Sequence, residues 1–407
     1  MKIKTAFVSL QLLAIGYSSI AIISKAMGIP TNLALLGAGL ATFIMFFVSR
    51  GKAPFFMGVS FAYIALISSI RIELPTGGVA FAVMVSAIAY FVMSFLIKLV
   101  GLYRIPRYFP PVVVGPIIVL VGLTLLPDIS ANVSTDLTLS LLTILSIVAL
   151  SYRKETRPYS LVLGIVVGVI AGLFRGNIDL TRFTNASMFS FPEFVYPTFQ
   201  LRAFWWILPG AIAAIIDHIG QVFAVSQVVE KDVFIEPGLS NTLLGNGIAN
   251  LVVGFVGSPP VTPYGQITGS MALLDEKKPL PILIAAGLII LLAFSGKLEA
   301  LVGAMPISVM NSLLMVAVGL IIVLGFKIMI TGDVDFSQAK NLLIPVVIIG
   351  LGLMPGDILV FGQRSIEAGG AYLGGFKVSI LALASFTGVI LNLLFILLED
   401  AMTKRSK

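Results

Sequence analysis

The sequence of 407 residues has no cysteine, one histidine, two tryptophans and a charged fraction of only 11%. Without cysteine there is no disulfide and no thiolate metal site. One histidine, His218, and no clustered carboxylates leave neither a metal centre nor a nucleophile with its base, so an enzyme is not expected. The shortage of charge also excludes an ordinary soluble domain, in which about a quarter of the residues are charged. What fills the chain instead is apolar: 58% of it is hydrophobic and the mean hydropathy is +1.07. The apolar runs are long enough to cross a hydrocarbon core, which favours an all-α polytopic membrane protein over a β-barrel.

Fourteen spans are predicted, two of them short, near residues 5–27, 31–49, 54–70, 77–97, 110–127, 137–151, 158–174, 204–227, 240–256, 261–274, 279–298, 307–329, 341–354 and 376–398. The first is read as a retained helix, since no small-residue cleavage site follows it. The net charge of +7 is explained by topology. With the N-terminus inside, one side collects Lys2, Lys4, Arg50, Lys52, Lys98, Arg104, Arg107, Arg153, Lys154, Arg157, Lys231, Lys277, Lys278, Lys327, Lys340, Lys404, Arg405 and Lys407, which is 18 of 26 basic residues. The positive-inside rule then places both termini in the cytoplasm of a plasma (inner) membrane, and no nucleic acid is needed to explain the charge.

Two stretches repeat. GKAPFFMGVSFAY from Gly51 matches GSPPVTPYGQITG from Gly257, and FPPVVVGPIIVLVGL from Phe109 matches MPISVMNSLLMVAVGL from Met305. The chain is therefore expected to fold as two halves, 1–203 and 204–407. Seven spans is an odd number, so the halves are inverted relative to each other. Gly and Pro interrupt spans three and ten, and backbone without helical bonds survives in a membrane only where protein or a cavity surrounds it. Paired interrupted spans point to a transporter site near the midplane, with half-helix starts near Gly58 and Gly265 aiming N–H groups at one spot.

Beside that spot runs ILPGAIAAIIDHIGQVFAVSQ, residues 207–227. An ionisable group inside a span is costly and marks a partner or a water-filled path. Asp217 and Gln221 are four residues apart and share a helix face, whereas His218 is turned off it. Asp217 is the expected site residue. His218 and Asn246 have supporting roles at most, Asn246 lying with Asn250 on a small-residue packing face.

PGAIAAIIDHIGQ, the run VVEKDVFIEPGLSNTLLGNGIANLVVGFVGSPPVTPYGQITG, the two repeat pairs and VDFSQAKNL at 334–342 together resemble the nucleobase/ascorbate transporter family, including its uracil and xanthine permeases, over nearly the whole chain. The resemblance implies two inverted seven-helix repeats split into a core domain (helices 1–4 and 8–11) and a gate domain (helices 5–7 and 12–14), often paired as a homodimer. It implies proton symport of a free nucleobase by alternating access. Asp217 takes the position of the helix-8 carboxylate that binds ring N–H groups, Gln266 reads the base edge, Phe61 packs on the ring, and Tyr264 with Gly265 supplies backbone contacts. Gln221 stands where uracil permeases carry a second histidine. Other departures are Asp for Glu at 217, Gln266-Ile267 for Glu-Asn, Gln11-Leu12 for Gln-His, and Val318 for a gate tyrosine.

Those departures leave Asp217 as the only evident proton carrier, with an uncoupled facilitator or sodium coupling as alternatives. Gln266 tilts the substrate toward xanthine or urate. No cofactor or resident metal is expected. An inorganic anion transporter of the same architecture is the competing class. An anchoring carboxylate repels an anion in a low dielectric, and the closing EDAMTKRSK is not expected to supply the C-terminal domain such proteins usually carry.

Overall fold

The structure, a computed structural model, describes residues 2–100, 107, 109–178, 181–354, 358–359, 377–378 and 380–405. Arg104, Arg364 and Lys407, and the expected start of the last span at 376, lie outside the described residues. The chain is mostly helical. The helices of ten or more residues are α1 (Lys2–Ala26), α2 (Thr31–Val48), α3 (Ile64–Glu73), α4 (Thr76–Val100), α5 (Pro111–Val133), α6 (Leu137–Tyr152), α7 (Ser160–Phe174), α8 (Leu201–Val229), α9 (Leu239–Phe255), α10 (Gly265–Leu274), α11 (Leu280–Phe294), α12 (Ile307–Thr331), α13 (Ala339–Gly352) and α14 (Ile380–Arg405). Seven stretches among the described residues are helical, long and apolar enough to cross a membrane. One of them, Pro111–Tyr152, is α5 and α6 joined by a tight turn at Ser134–Asp136.

Proline sets several helix starts. Pro30 and Pro306 precede α2 and α12, and Pro111 opens α5, a position where the missing N–H costs nothing. Two glycines end helices at matching places in the repeated stretches. Gly51 after α2 has φ +68° and Gly257 after α9 has φ +82°, a left-handed conformation that any Cβ would strain.

The helices pack in two groups. α4 lies on α8 and α9, α2 on α9 and α11, and α1 on α11. In the second group α5 lies on α12 and α13, α6 on α7 and α12, and α13 on α14. α8 touches α5 and α14, and α10 touches α12, so the faces of these helices form the seam between the groups.

Inside the first group two short strands, β1 (Met57–Val59) and β2 (Val261–Pro263), pair antiparallel with Gly58 opposite Thr262. The ladder continues through Tyr264 N–H to Phe56 O, 2.8 Å, and Ser60 N–H to Pro260 O, 2.9 Å. Side chains satisfy further groups of this buried backbone. Thr42 Oγ1 accepts from Met57 N–H at 2.9 Å, Asn250 Oδ1 accepts from Val261 N–H at 2.8 Å, and the Asn246 and Asn250 amides donate to Val261 O at 3.0 and 3.1 Å. Unpaired, each such group would cost several kcal/mol in hydrocarbon (about 2–7 kcal/mol).

The pairing corrects one expectation. The helix after the first break does not begin near Gly58. Gly58 is held extended in β1, a turn of 3₁₀ helix covers Phe61–Tyr63, and α3 starts at Ile64. After the second break α10 does begin at Gly265.

Candidate functional site

Asp217 lies near the middle of α8, half-buried, on the face turned to the strands and the start of α10. Gln221, one turn on, donates from Nε2 to Asp217 Oδ1 at 3.1 Å. That bond fixes the amide's orientation, so Oε1 is the end left over; it is buried and has no hydrogen-bond partner among the described residues. A Cβ placed on Gly265 would lie 2.9 Å from both Gln221 amide atoms, so the Gln221 head rests on the first residue of α10. Thr262 of β2 faces the Asp217 carboxylate as well. The first N–H groups of α10 have no partner inside the helix and its dipole is positive at this end.

The aromatic wall stands next to these groups. Phe61 and Tyr264 have ring centroids 6.1 Å apart and are inclined at 31°, and Phe56 lies 6.1 Å from Tyr264 on another side. The Tyr264 ring covers Gly58, where a Cβ would come within 2.2 Å of it. Gln266 is buried and its Nε2 donates to Ser19 Oγ of α1 at 3.0 Å. The structure thus joins Asp217, Gln221 and Gly265, and packs Phe61 on Tyr264 next to them, while the Gln266 side chain is turned to Ser19. From α12, Ile321 closes the place, its Cδ1 against Gly265.

His218 and Asn246 are elsewhere. The His218 ring points away from Asp217's partners, with Nδ1 3.2 Å from Asn246 Oδ1 and Nε2 3.0 Å from Thr242 Oγ1. It is fully buried between Phe55 and Tyr90. Asn246 in turn holds Val261 O, so the two form a strut from α8 through α9 to β2. Ser19, Thr262 and Ile321 escaped the sequence reading. Serines in apolar helices usually bond back to their own helix, as Ser18 does to Ala14 O at 2.8 Å, and nothing in the sequence distinguishes Ser19 from Ser18.

Cavities open at both ends of the bundle. One of about 720 Å³ lies between α1 and the start of α12, lined by Tyr17, Ser18, Lys25, Asn177 and Asn311 among others. The other, about 760 Å³, lies at the N-terminal end among Lys52, Lys231, Glu236, Lys277 and Lys278. There Lys52 pairs with Glu236, and Lys277 pairs with Glu230 at 2.6 Å, its hydrogen bond holding that carboxyl below the ordinary glutamate value.

The sequence pattern described as Permease family matches residues 3–358. The chain belongs to the nucleobase/ascorbate permease family. A probable uracil permease of Haemophilus influenzae is 35% identical over 96% of this chain and 94% of its own length. Family members named uracil permease from Bacillus caldolyticus (30%, covering 95% and 90%) and Escherichia coli K12 (29%, covering 98% and 92%) match as fully. Among solved structures, the transmembrane domain of the cyanobacterial bicarbonate transporter BicA aligns over 96% of this chain and 97% of its own, with TM-score 0.56 at 18% identity. SLC26A9 aligns over 98% and 65%, with TM-score 0.65 at 12% identity. At such identities the likeness concerns the fold, which this permease family shares with those transporters.

Proposed function

We propose that the chain carries a free nucleobase, uracil before xanthine or urate, across the plasma membrane by proton symport. The observation that carries this reading is the pair of acceptors on α8: the Asp217 carboxylate and the unpartnered Gln221 Oε1, side by side at the N-terminus of α10. A base such as uracil presents two ring N–H donors and two carbonyl acceptors in one plane. The donors suit Asp217 and Gln221, and charged hydrogen bonds are the stronger kind. The carbonyls suit the first N–H groups of α10 and the Gln266 amide, and the ring suits the Phe61 and Tyr264 faces. Relatives named uracil permease along the full length support uracil as the first base to try. The fold neighbours transport anions, but a carboxylate at the centre of the site opposes an anionic substrate.

In this reading fourteen spans form two inverted repeats, 1–203 and 204–407, with both termini cytoplasmic. The group holding α1–α4 and α8–α11 is the core, and α5–α7 with α12–α14 is the gate. Transport moves the core past the gate, withdrawing Ile321 from Gly265 to admit the base. Asp217 carries the coupling proton and no cofactor takes part. The carrier is a homodimer.

The test is radiolabelled uptake of uracil, xanthine and urate into proteoliposomes under an inward proton gradient. Uracil accumulation that collapses with a protonophore is expected, together with loss of uptake in a well-folded Asp217→Ala protein. Undiminished uptake by Asp217→Ala would remove the site, and uptake without accumulation would remove the coupling.

A further inference from the structure

Between α7 and α8 the chain runs without helix or strand over residues 186–200, ASMFSFPEFVYPTFQ, past the ends of three helices of the first group. Ser190 N–H donates to Phe294 O at the end of α11, Val195 N–H to Val256 O just past α9, and Thr198 N–H to Gly77 O at the start of α4, at 3.0, 3.3 and 2.9 Å. Ser187 O lies against Gly296, which also lines the cavity of about 720 Å³, so this strap crosses the bundle at the end opposite the N-terminus. Its side chains are not those of a solvated loop. Phe189, Phe191, Tyr196 and Phe199 are each between 65% and 75% exposed, Met188 and Phe194 are exposed beside them, and Glu193 is the one charge among residues 188–199. The patch continues onto the outer surface of the spans: Tyr196 meets Phe255 of α9 edge-on at 6.1 Å, and Leu251, one turn back on α9, is exposed with it. Phe191 meets Phe294, and Phe199 meets Phe81, in the same way at 5.9 and 5.3 Å.

The backbone and the side chains of this strap require different surroundings. Among the described residues, three N–H groups of 188–199 bond to carbonyls at helix ends, and Pro192 and Pro197 have no N–H to give. The groups left over need water or polar headgroups, since unpaired backbone is excluded from hydrocarbon. The rings need the opposite, because an exposed apolar patch of this extent marks an interaction surface. Both requirements are met at one depth, the boundary between headgroups and acyl chains, where aromatic residues collect. We infer that residues 188–199 are a lipid-docking strap, whose rings enter this boundary in the leaflet far from the N-terminus and hold the first group of helices at its depth. The backbone bonds of the strap reach α4, α9 and α11, all of the first group, so it is that group whose depth the bilayer sets. The strap does this whatever the chain carries, and the inference stands apart from the nucleobase reading.

Because the chain lacks cysteine, one introduced cysteine carries one nitroxide. Full-length protein with Phe191→Cys, Tyr196→Cys or Phe199→Cys, labelled and reconstituted into palmitoyl-oleoyl phosphatidylcholine vesicles, is read by power-saturation EPR against oxygen, which concentrates in lipid, and a nickel chelate, which stays in water. All three labels are expected to be relaxed by oxygen far more than by nickel. Relaxation chiefly by nickel at two or more of the sites overturns the docking. Protection from both agents at two or more, the mark of a second copy of the chain covering the strap, overturns the lipid partner. Should the labelled proteins not reconstitute, a phosphatidylcholine with a diazirine at the top of its acyl chain is expected to cross-link to residues 188–199 of the wild type, and no cross-link there overturns the proposal. The depth-setting role has its own readout. A nitroxide at Leu251→Cys on α9 is expected to become shallower when Phe191→Ser, Tyr196→Ser and Phe199→Ser are added together, and an unchanged depth overturns that role.

Discussion

At Gly265 the absence of a side chain is what lets three elements meet. An alanine there would bring its Cβ to 1.7 Å from Ile321 Cδ1 and 2.9 Å from the Gln221 amide. Gly265→Ala is expected to destabilise the protein by about 1–3 kcal/mol through overpacking and to displace Gln221 from the base. Adding Ile321→Ala removes the harder clash, so the pair should regain melting temperature in detergent while base affinity stays low. A Gly265→Ala protein with wild-type melting and affinity would show that Gln221 is not seated as described. Much of this was legible. The four-residue spacing of Asp217 and Gln221 put them on one face, and the break before Gly265 announced a helix start. The direction of His218 was legible only as being off that face. Its partners, Thr242 and Asn246, depend on how α8 and α9 slide against each other, and apolar helices leave that register unmarked.

Among the elements, β1 and β2 carry the site, and they are held by α2, α8 and α9 through Thr42, His218, Asn246 and Asn250. His218 bridges Thr242 and Asn246, so its removal takes one partner from each, leaving Thr242 only its bond to Leu239 O and Asn246 its bond to Val261 O. His218→Ala and Asn246→Ala are each expected to cost about 1–3 kcal/mol. Because they share one network, the double variant should cost clearly less than the sum. Thermal melting of the four proteins gives the cycle; strict additivity would mean that the strut is no network. The late start of α3, at Ile64 and not near Gly58, has the same origin. Local signals of Gly and Pro marked where a helix had to stop, but where the next could begin was decided by pairing with residues some two hundred positions away.

On the scale of the molecule the two ends differ. At the N-terminal end the groups are joined: Gln11 Oε1 of α1 accepts from Leu161 N–H, an otherwise orphaned donor in the first turn of α7, at 2.9 Å, and Phe7 meets Tyr159 edge-on at 4.9 Å. At the other end the cavity of about 720 Å³ lies between α1 and α12, whereas the cavity at the N-terminal end lies among the loops of the first group alone. In the alternating-access reading proposed above, Gln11 is a catch that favours the state open away from the N-terminus. Gln11→Ala, giving up a buried hydrogen bond of about 1–3 kcal/mol, should shift that balance by about 5- to 150-fold. The chain has no cysteine, so a single Ala304→Cys in the cavity between α1 and α12 is a unique reporter. Its labelling by an impermeant maleimide should slow when Gln11→Ala is added, and an unchanged rate would mean that the catch holds nothing. The β1–β2 pairing bears finally on how the chain is made. Val59 meets Val261, so during synthesis, at about 5–20 residues per second, the first strand waits roughly 10–40 s for its partner to emerge. Through that interval its backbone groups lie in or beside the bilayer with one side of the ladder missing. The nascent first half is therefore a species that membrane chaperones and proteases can recognise, and its lifetime is set by translation speed.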